Sequence, residues 1–172
     1  MSDEMLKISA MVRSALMVED LARSTDFYTK VLGISQVYWE GTLKGQSVER
    51  LLGVPEGSVC KARILTPTPE NMGMVGLFEL SQPKPQRVQK RDDTSQIGEA
   101  FLVFYASDLD EVMHRLDAGN HTVLYPPIAL EHEGQVKQRE MGCLDPDGFK
   151  INLIEWDPAA DKRPELTLDQ LS

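Results

Sequence analysis

The stretch Asp20-Leu-Ala-Arg-Ser-Thr-Asp-Phe27-Tyr28-Thr-Lys-Val-Leu32-Gly33 decides the fold of this 172-residue chain. Its apolar residues recur at helical spacing, Asp20 suits the N-cap of a helix, and Gly33 suits the left-handed position just after a helix. The residues before it, from Ser14 to the Asp-Leu pair, are typical of a strand. This part of the sequence therefore predicts a strand followed by a helix.

The same pattern returns 88 residues later, in Phe101-Leu-Val-Phe-Tyr-Ala-Ser-Asp108-Leu109, with Gly119 at the predicted end of the helix. Three strand-like runs follow each helix. In the first half they are Ile34 to Trp39, Val59 to Leu65 and Val75 to Leu80, and in the second half Thr122 to Tyr125, Gln138 to Leu144 and Lys150 to Trp156. The tetrapeptide Asp145-Pro-Asp-Gly148 predicts a tight turn between the last two strands. The chain therefore contains an internal repeat of strand, helix and three strands.

The repeat divides the chain into two modules with flanking segments. We assign residues 1–7 to an N-terminal extension, 8–81 to the first module and 97–156 to the second. Residues 82–96, rich in Pro, Gln and charge, are typical of an exposed linker, and residues 157–172 form a polar C-terminal tail.

Composition and charge exclude several classes of function. The 18 basic and 27 acidic residues give a net charge of −9, which disfavours binding to nucleic acid and to anionic membranes. No signal peptide and no apolar run of about 20 residues is present, so we expect a cytoplasmic location. Cys60 and Cys143 have no neighbouring cysteine, and we expect both to be buried and unpaired.

These motifs resemble the vicinal-oxygen-chelate superfamily, which includes glyoxalase I, the bleomycin-resistance proteins and the extradiol dioxygenases. The likeness is strongest to glyoxalase I, through the Asp20-Leu, Phe27-Tyr28 and Leu32-Gly33 pairs and through Asp145-Pro-Asp-Gly148 followed by an apolar strand that reaches Glu155. The resemblance implies an α+β fold, in which two βαβββ modules form a partly open, cup-shaped mixed sheet with the site inside. It also implies a homodimer.

The resemblance further identifies candidate site residues. Metal-dependent members hold the metal with a first-strand residue, usually His, and a last-strand residue, usually Glu, from each module. The first-strand positions, seven residues before each Asp-Leu pair, are Arg13 and Phe101 here, and the last-strand positions are Glu79 and Glu155. A guanidinium or a phenyl ring does not bind a divalent cation. We therefore expect no metal and no other cofactor; the alternative is a divalent ion on Glu79 and Glu155 alone.

Each candidate residue has a structural alternative. Arg13 either faces solvent or points into the cup and pairs with Glu79 or Glu155 in place of the metal. Glu79 and Glu155 are either solvated at a strand end or act as general bases. The aromatic residues are either core or the wall of a site for an aromatic or lipophilic small molecule; they are Phe101, Tyr105 and Trp156.

Three functions remain open on the sequence alone. The first is a metal-independent lyase or isomerase that uses a Glu as base and Arg13 to stabilise an oxyanion. The second is a non-catalytic protein that binds a small molecule, like the bleomycin-resistance members. The third is a metal-dependent enzyme of the lactoylglutathione-lyase type with unusual ligands.

Overall fold

The structure is a computed structural model that describes residues 8–69, 72–89, 95–132 and 135–155. The chain divides into two compact units, Met1–Thr94 and Ser95–Ser172. The predicted N-terminal extension and C-terminal tail, together with Trp156, lie outside the described residues.

The described part of the first unit contains four strands and two short helices. A π-helical turn, Phe27–Val31, continues the first helix. The elements are β1 (Arg13–Met17), α1 (Leu21–Asp26), β2 (Gln36–Lys44), α2 (Gln46–Leu52), β3 (Val59–Thr66) and β4 (Met74–Leu80).

The described part of the second unit repeats this order with one helix. The elements are β5 (Phe101–Ala106), α3 (Leu109–Ala118), β6 (Val123–His132), β7 (Gln135–Leu144) and β8 (Lys150–Glu155).

Each unit forms one open, mixed four-stranded sheet. The strand orders are β1-β4-β3-β2 and β5-β8-β7-β6. In both sheets the first strand is parallel to the last, and the other pairs are antiparallel. The predicted α+β class and the repeated βαβββ order are therefore confirmed.

The predicted helix starts are confirmed by their capping bonds. The side chain of Asp20 accepts the backbone N–H of Arg23 at 2.9 Å, and that of Asp108 accepts the N–H of Glu111 at 2.9 Å. Such bonds satisfy amide groups that the first helical turn leaves unpaired.

The predicted helix ends differ between the two units. Gly33 adopts the expected left-handed conformation, with φ of 77°. The same expectation for Gly119 is wrong, because Gly119 has φ of −88° and Asn120 takes the left-handed position with φ of 51°. Gly119 instead allows the imidazole ring of His121 to pack closely against the backbone, because a Cβ at position 119 would lie 2.5 Å from that ring.

Several other elements depart from the sequence prediction, and β2 continues past its predicted end at Trp39 to Lys44. Strand β6 runs through Pro126 and Pro127, well beyond the predicted end at Tyr125. Its position at the sheet edge and the irregular register between Tyr125 and Ile128 accommodate the two prolines. Helix α2 was not predicted, and none of its residues is buried, so no apolar face marks it in the sequence.

The turn after β7 is confirmed in detail. The buried side chain of Asp145 accepts the N–H groups of Asp147 at 2.9 Å and Phe149 at 2.8 Å. Gly148 has φ of 89°, a conformation that favours glycine. This turn sets the pairing of β7 with β8.

Each sheet has one face covered by the helix of its own unit, which we call the helix face. The opposite face of the second sheet bears exposed side chains of β5, and we call it the open face; the opposite face of the first sheet buries Cys60, Ile64 and Met74. On the helix face of the first sheet, Leu65, Val75 and Leu77 are fully buried, as are Phe27 and Tyr28 of the covering helical segment. On the helix face of the second sheet the buried residues are Met141, Cys143, Ile151 and Leu153, packed with Leu109 and Leu116 of α3.

The two cysteines are buried and free, as expected. Burial raises the pKa of the Cys60 thiol, and raises that of the Cys143 thiol to about 12. A thiol with a raised pKa carries little thiolate near neutral pH, so neither cysteine is a candidate nucleophile.

Residues 82–89 of the predicted linker are exposed, whereas Gln96 at its end is half-buried, and ion pairs attach the exposed part to the rest of the first unit. Glu19 pairs with Lys84 and Arg87, and these hydrogen bonds lower the pKa of Glu19 to about 2. Within the described residues, no helix is long and apolar enough to cross a membrane.

Candidate functional site

The open face of the second sheet gathers both apolar and polar side chains. Because side chains alternate between faces along a strand, the register of the four strands decides which residues share this face. One row across the sheet contains Tyr105, Ile154, Glu140 and Ile128, and the next contains Val103, Asn152, Gly142 and Tyr125.

The polar residues on this face form one hydrogen-bonded chain. The hydroxyl of Tyr125 donates to Oδ1 of Asn152 at 2.8 Å, and Nδ2 of Asn152 donates to Oε2 of Glu140 at 3.0 Å. Nε2 of Gln138 donates to the other carboxylate oxygen of Glu140. All four side chains are half-buried, so these hydrogen bonds hold the carboxylate of Glu140 in a fixed orientation.

A glycine gives Tyr125 its place on the open face. A Cβ at position 142 would collide with the ring of Tyr125, so the ring lies directly over Gly142 on the neighbouring strand. Burial and the nearby carboxylate of Glu140 raise the pKa of Tyr125, which keeps its hydroxyl protonated as a donor.

Lys150 provides a second polar group on the open face, in a third row that also contains Phe101. Its ammonium group lies 2.7 Å from Oε2 of Glu99 and 5.2 Å from the ring centre of Phe101. Glu99 is only 8% exposed, so the charge of Lys150 is neutralised within the unit.

Glu155, predicted as a base, lies on the helix face of the second sheet. Its carboxylate accepts two hydrogen bonds from Arg139, each 2.7 Å long, and the backbone N–H of Leu109 at 3.3 Å. The hydrogen bonds from Arg139 lower the pKa of Glu155, against the opposing effect of burial. A lowered pKa makes a weaker base, so this geometry favours a structural role at the start of α3.

Glu79 has the equivalent position in the first unit. Its Oε2 accepts the backbone N–H of Leu21, the first residue of α1, at 2.8 Å, and Nζ of Lys61 lies 3.9 Å from Oε1. In both units, therefore, the last-strand glutamate binds the first N–H of the helix. Catalysis by Glu79 or Glu155 stays a prediction.

Arg13 does not pair with Glu79 in the structure, and the alternative pairing with Glu155 stays a prediction. Arg13 lies beside Met74 and on the same face of the sheet. Leu77 and Glu79 lie on the other face of β4. The two side chains therefore start from opposite faces of the same sheet. Arg13 is exposed, and its guanidinium has no ion-pair partner among the residues that the structure describes.

The predicted aromatic residues that the structure describes do lie on the open face. Phe101 is 47% exposed and Tyr105 is 59% exposed, with the 55% exposed Val103 between them on β5. Neither ring is a core residue. The role of Trp156 stays a prediction.

The residues present do not fit the metal site that the resemblance implies for metal-dependent members. Arg13 and Phe101 supply no lone pair for a metal, and Glu79 and Glu155 bind helix N–H groups on the helix faces. Among the described residues, no three His, Cys, Asp or Glu side chains are grouped so that they could hold a metal ion.

The sequence analysis missed Glu140, Asn152 and Tyr125. The only local signal was the alternation of polar or small residues with apolar ones in Glu140-Met-Gly142-Cys and in Asn152-Leu. That alternation shows that these residues share a face within their own strands. It does not show that the three strands place them side by side.

Several solved structures share this fold. A glyoxalase family protein from Bacillus cereus has a TM-score of 0.70 and 18% identity, covering 90% of this chain and 97% of that protein. A glyoxalase I mutant from Zea mays has a TM-score of 0.55 and 18% identity, covering 83% and 45%. The trypanothione-dependent glyoxalase I of Leishmania major has a TM-score of 0.53 and 17% identity, covering 86% and 87%. At such low identities these similarities show the fold alone.

The sequence was also compared with protein families. No curated protein matches it. The model of the Glyoxalase/Bleomycin resistance protein/Dioxygenase superfamily matches residues 10–153, which include the described strands of both units up to Leu153 of β8. Since this match covers most of the chain, the protein belongs to the Glyoxalase/Bleomycin resistance protein/Dioxygenase superfamily.

Proposed function

We propose that the protein binds a small organic molecule with an aromatic or lipophilic part on the open face of its second sheet, and that binding needs no metal ion. One observation carries the proposal: exposed apolar side chains of β5 share this face with the hydrogen-bonded chain that ends at Glu140. Ligand sites typically combine apolar walls with a few fixed polar groups.

The exposure of the apolar side chains supports this proposal. Phe101, Val103 and Tyr105 are each about half exposed, and Ile128 on the far strand is 43% exposed. The neighbouring exposed side chains of β5 form an apolar surface that favours a bound ligand, because contact with an apolar molecule removes this surface from water. Membership in a superfamily named for bleomycin resistance and dioxygenases is consistent with an organic ligand.

The few metal-ligating groups on the described strands support the proposal that binding needs no metal ion. The open face of the second sheet offers one carboxylate, Glu140, whose two oxygens each accept an amide N–H. One carboxylate with neutral amides is a weak and poorly selective set of ligands for a divalent cation.

A lyase or isomerase reaction is the second candidate function, and the position of Glu140 favours it. A carboxylate on the face that binds the ligand is placed to accept a proton from that ligand. If Glu79 or Glu155 is the base instead, it must first release the N–H of the helix. In that version the exposed Arg13 of β1 stabilises an oxyanion.

Two further parts of the proposal concern the state of the protein: a homodimer with a cytoplasmic location. Light scattering on the purified chain at micromolar concentration tests the first part, with a mass of two chains expected. A mass of one chain contradicts it.

The binding proposal can be tested by titrating the full ¹⁵N-labelled chain with indole, a neutral aromatic probe. We expect shifts in the amide signals of β5 and β8 that persist after treatment with a metal chelator. The variant Val103→Asp, which places a charge within the apolar row, should abolish them. The control Leu51→Asp, at an 83% exposed position on α2, should leave them unchanged. Loss of the shifts on chelation, or shifts confined to other strands, contradicts the proposal.

Turnover separates the two candidate functions. Carbon acids in D₂O exchange hydrogen faster with the protein than without it only if a base of the protein removes the hydrogen. An enzyme with Glu140 as base loses this exchange in Glu140→Gln and keeps it in Glu155→Gln. The opposite result identifies Glu155 as the base. Equal exchange with and without protein contradicts catalysis and leaves binding as the remaining candidate function.

A further inference from the structure

We propose that the ligand on the open face of the second sheet is an organic cation, in which an ammonium or guanidinium group is attached to an aromatic or apolar body. This inference rests on the proposed binding function and specifies its substrate class. It follows from the charges on the open face, which leave Glu140 without a compensating cation among the described residues.

The immediate surroundings of Glu140 are neutral. Its hydrogen-bond partners are the side-chain amides of Gln138 and Asn152. On the neighbouring strands it lies beside Ile128 and Ile154, so apolar side chains flank the carboxylate across the sheet. A half-buried carboxylate in apolar surroundings interacts strongly with a cation, because little water screens the pair.

Arg139 and Lys150, the Lys or Arg side chains that the structure describes on the four strands of this sheet, are already paired elsewhere. Arg139 precedes Glu140 on β7 but lies on the helix face, where it binds Glu155 and Asp110. Lys150 shares the open face but binds Glu99, and it lies four residues along β8 from Ile154, about 13 Å by the rise of a strand. The open face therefore presents a negative charge at Glu140.

Glu140 also retains the capacity to bind a ligand directly. Each carboxylate oxygen offers about two acceptor positions, and the two amide N–H groups occupy one position on each oxygen. The remaining positions suit the N–H groups of an ammonium or guanidinium, which form stronger hydrogen bonds to a carboxylate than neutral donors do.

The arrangement of the strands sets the size of the ligand. Tyr105 and Val103 on β5 lie two strand spacings from Glu140 on β7, about 10 Å, with Ile154 on the strand between them. A ring packed over Ile154 and the β5 side chains reaches the carboxylate through a linker of two or three atoms. The geometry thus favours an arylalkylamine over a small inorganic cation.

The test uses three indoles of one shape that differ in charge: tryptamine, indole-3-ethanol and indole-3-propionate. Their dissociation constants are measured by calorimetric titration of the full chain, with amide shifts to locate the site. We expect tryptamine to bind at least about tenfold more tightly than indole-3-ethanol, and indole-3-propionate most weakly. In Glu140→Gln, which keeps the shape of the side chain, tryptamine and indole-3-ethanol should bind equally.

A matched variant controls for the overall negative charge of the chain. Glu111→Gln removes the same charge from an exposed position on α3, the helix that covers the opposite face of the sheet. This variant should keep the preference for tryptamine. Equal binding of tryptamine and indole-3-ethanol by the unmodified chain overturns the cation inference but leaves the proposed binding function standing. Absence of binding by all three probes overturns both. A preference that survives in Glu140→Gln, or is lost in Glu111→Gln, also overturns the inference.

Discussion

Arg139 donates two hydrogen bonds, each 2.7 Å long, to the carboxylate of Glu155 on the neighbouring strand. The same guanidinium reaches Asp110 in the first turn of α3 at 3.0 Å, so one side chain connects β7, β8 and α3. The sequence had suggested Arg13 as a partner of the last-strand glutamates. In the structure the partner of Glu155 is Arg139, which was not predicted, on the face that packs against the helix.

The ion pair between Arg139 and Glu155 should make the stability of the protein depend on pH. Because the hydrogen bonds from Arg139 lower the pKa of Glu155, its contribution is fully present above its ordinary value of 4.5. The contribution is lost as the pH falls through the lowered pKa of the folded state. Urea unfolding from about pH 6 to about pH 3 should therefore show a smaller loss of stability in Glu155→Gln than in the unmodified chain. Equal losses contradict this assignment.

The last-strand glutamates should stabilise the helix starts. Glu155→Ala removes the acceptor for the N–H of Leu109 and the partner of Arg139, and we expect a loss of about 2 kcal/mol in the free energy of unfolding. Glu155→Gln keeps an acceptor and should lose less. The control Glu111→Ala, which breaks only an exposed pair with Arg115, should change stability by less than about 0.5 kcal/mol.

The contact between Gly142 and Tyr125 predicts a conditional effect. Gly142→Ala places a methyl group where the ring of Tyr125 lies, so the ring must move and its hydrogen bond to Asn152 must break. We expect a loss of about 1 to 3 kcal/mol in the free energy of unfolding. In the background Tyr125→Ala the same substitution should cost much less, and thermal unfolding of the four proteins measures this coupling. Additive losses refute the contact.

The ion pairs of Glu19 should protect the segment that follows β4. Glu19→Gln weakens the pairs with Lys84 and Arg87 and should speed tryptic cleavage after Arg87. High salt should speed cleavage of the unmodified chain in the same way, because both pairs are exposed and therefore screened. Unchanged cleavage in the variant at low salt shows that other contacts hold the segment.

Arg13 should contribute little to stability. Its side chain is exposed and forms no ion pair within the described part of the chain, so Arg13→Ala should change the free energy of unfolding by less than about 0.5 kcal/mol. Arg139→Ala, measured by the same urea titration, should destabilise the chain more. A large loss in Arg13→Ala would reveal a partner for Arg13 beyond those that the structure describes.

The sequence by itself determined the repeat, the starts of its two main helices and the turn before β8. The N-caps at Asp20 and Asp108 and the turn at Asp145 depend on bonds between residues two to four positions apart. Such bonds are readable from local spacing, because the same short stretch contains the donor and the acceptor. The full length of the edge strand β6 could not be predicted in this way, because only its pairing with β7 compensates for Pro126 and Pro127.

Only the tertiary structure decided which side chains meet. Arg13 and Glu79 are separated onto opposite faces by the register between β1 and β4, and a shift of one residue would have placed them on the same face. The same kind of register, among β6, β7 and β8, places Tyr125, Asn152 and Glu140 in contact. Alternation along one strand shows which residues share a face, but the register with the next strand depends on hydrogen bonds between distant parts of the chain.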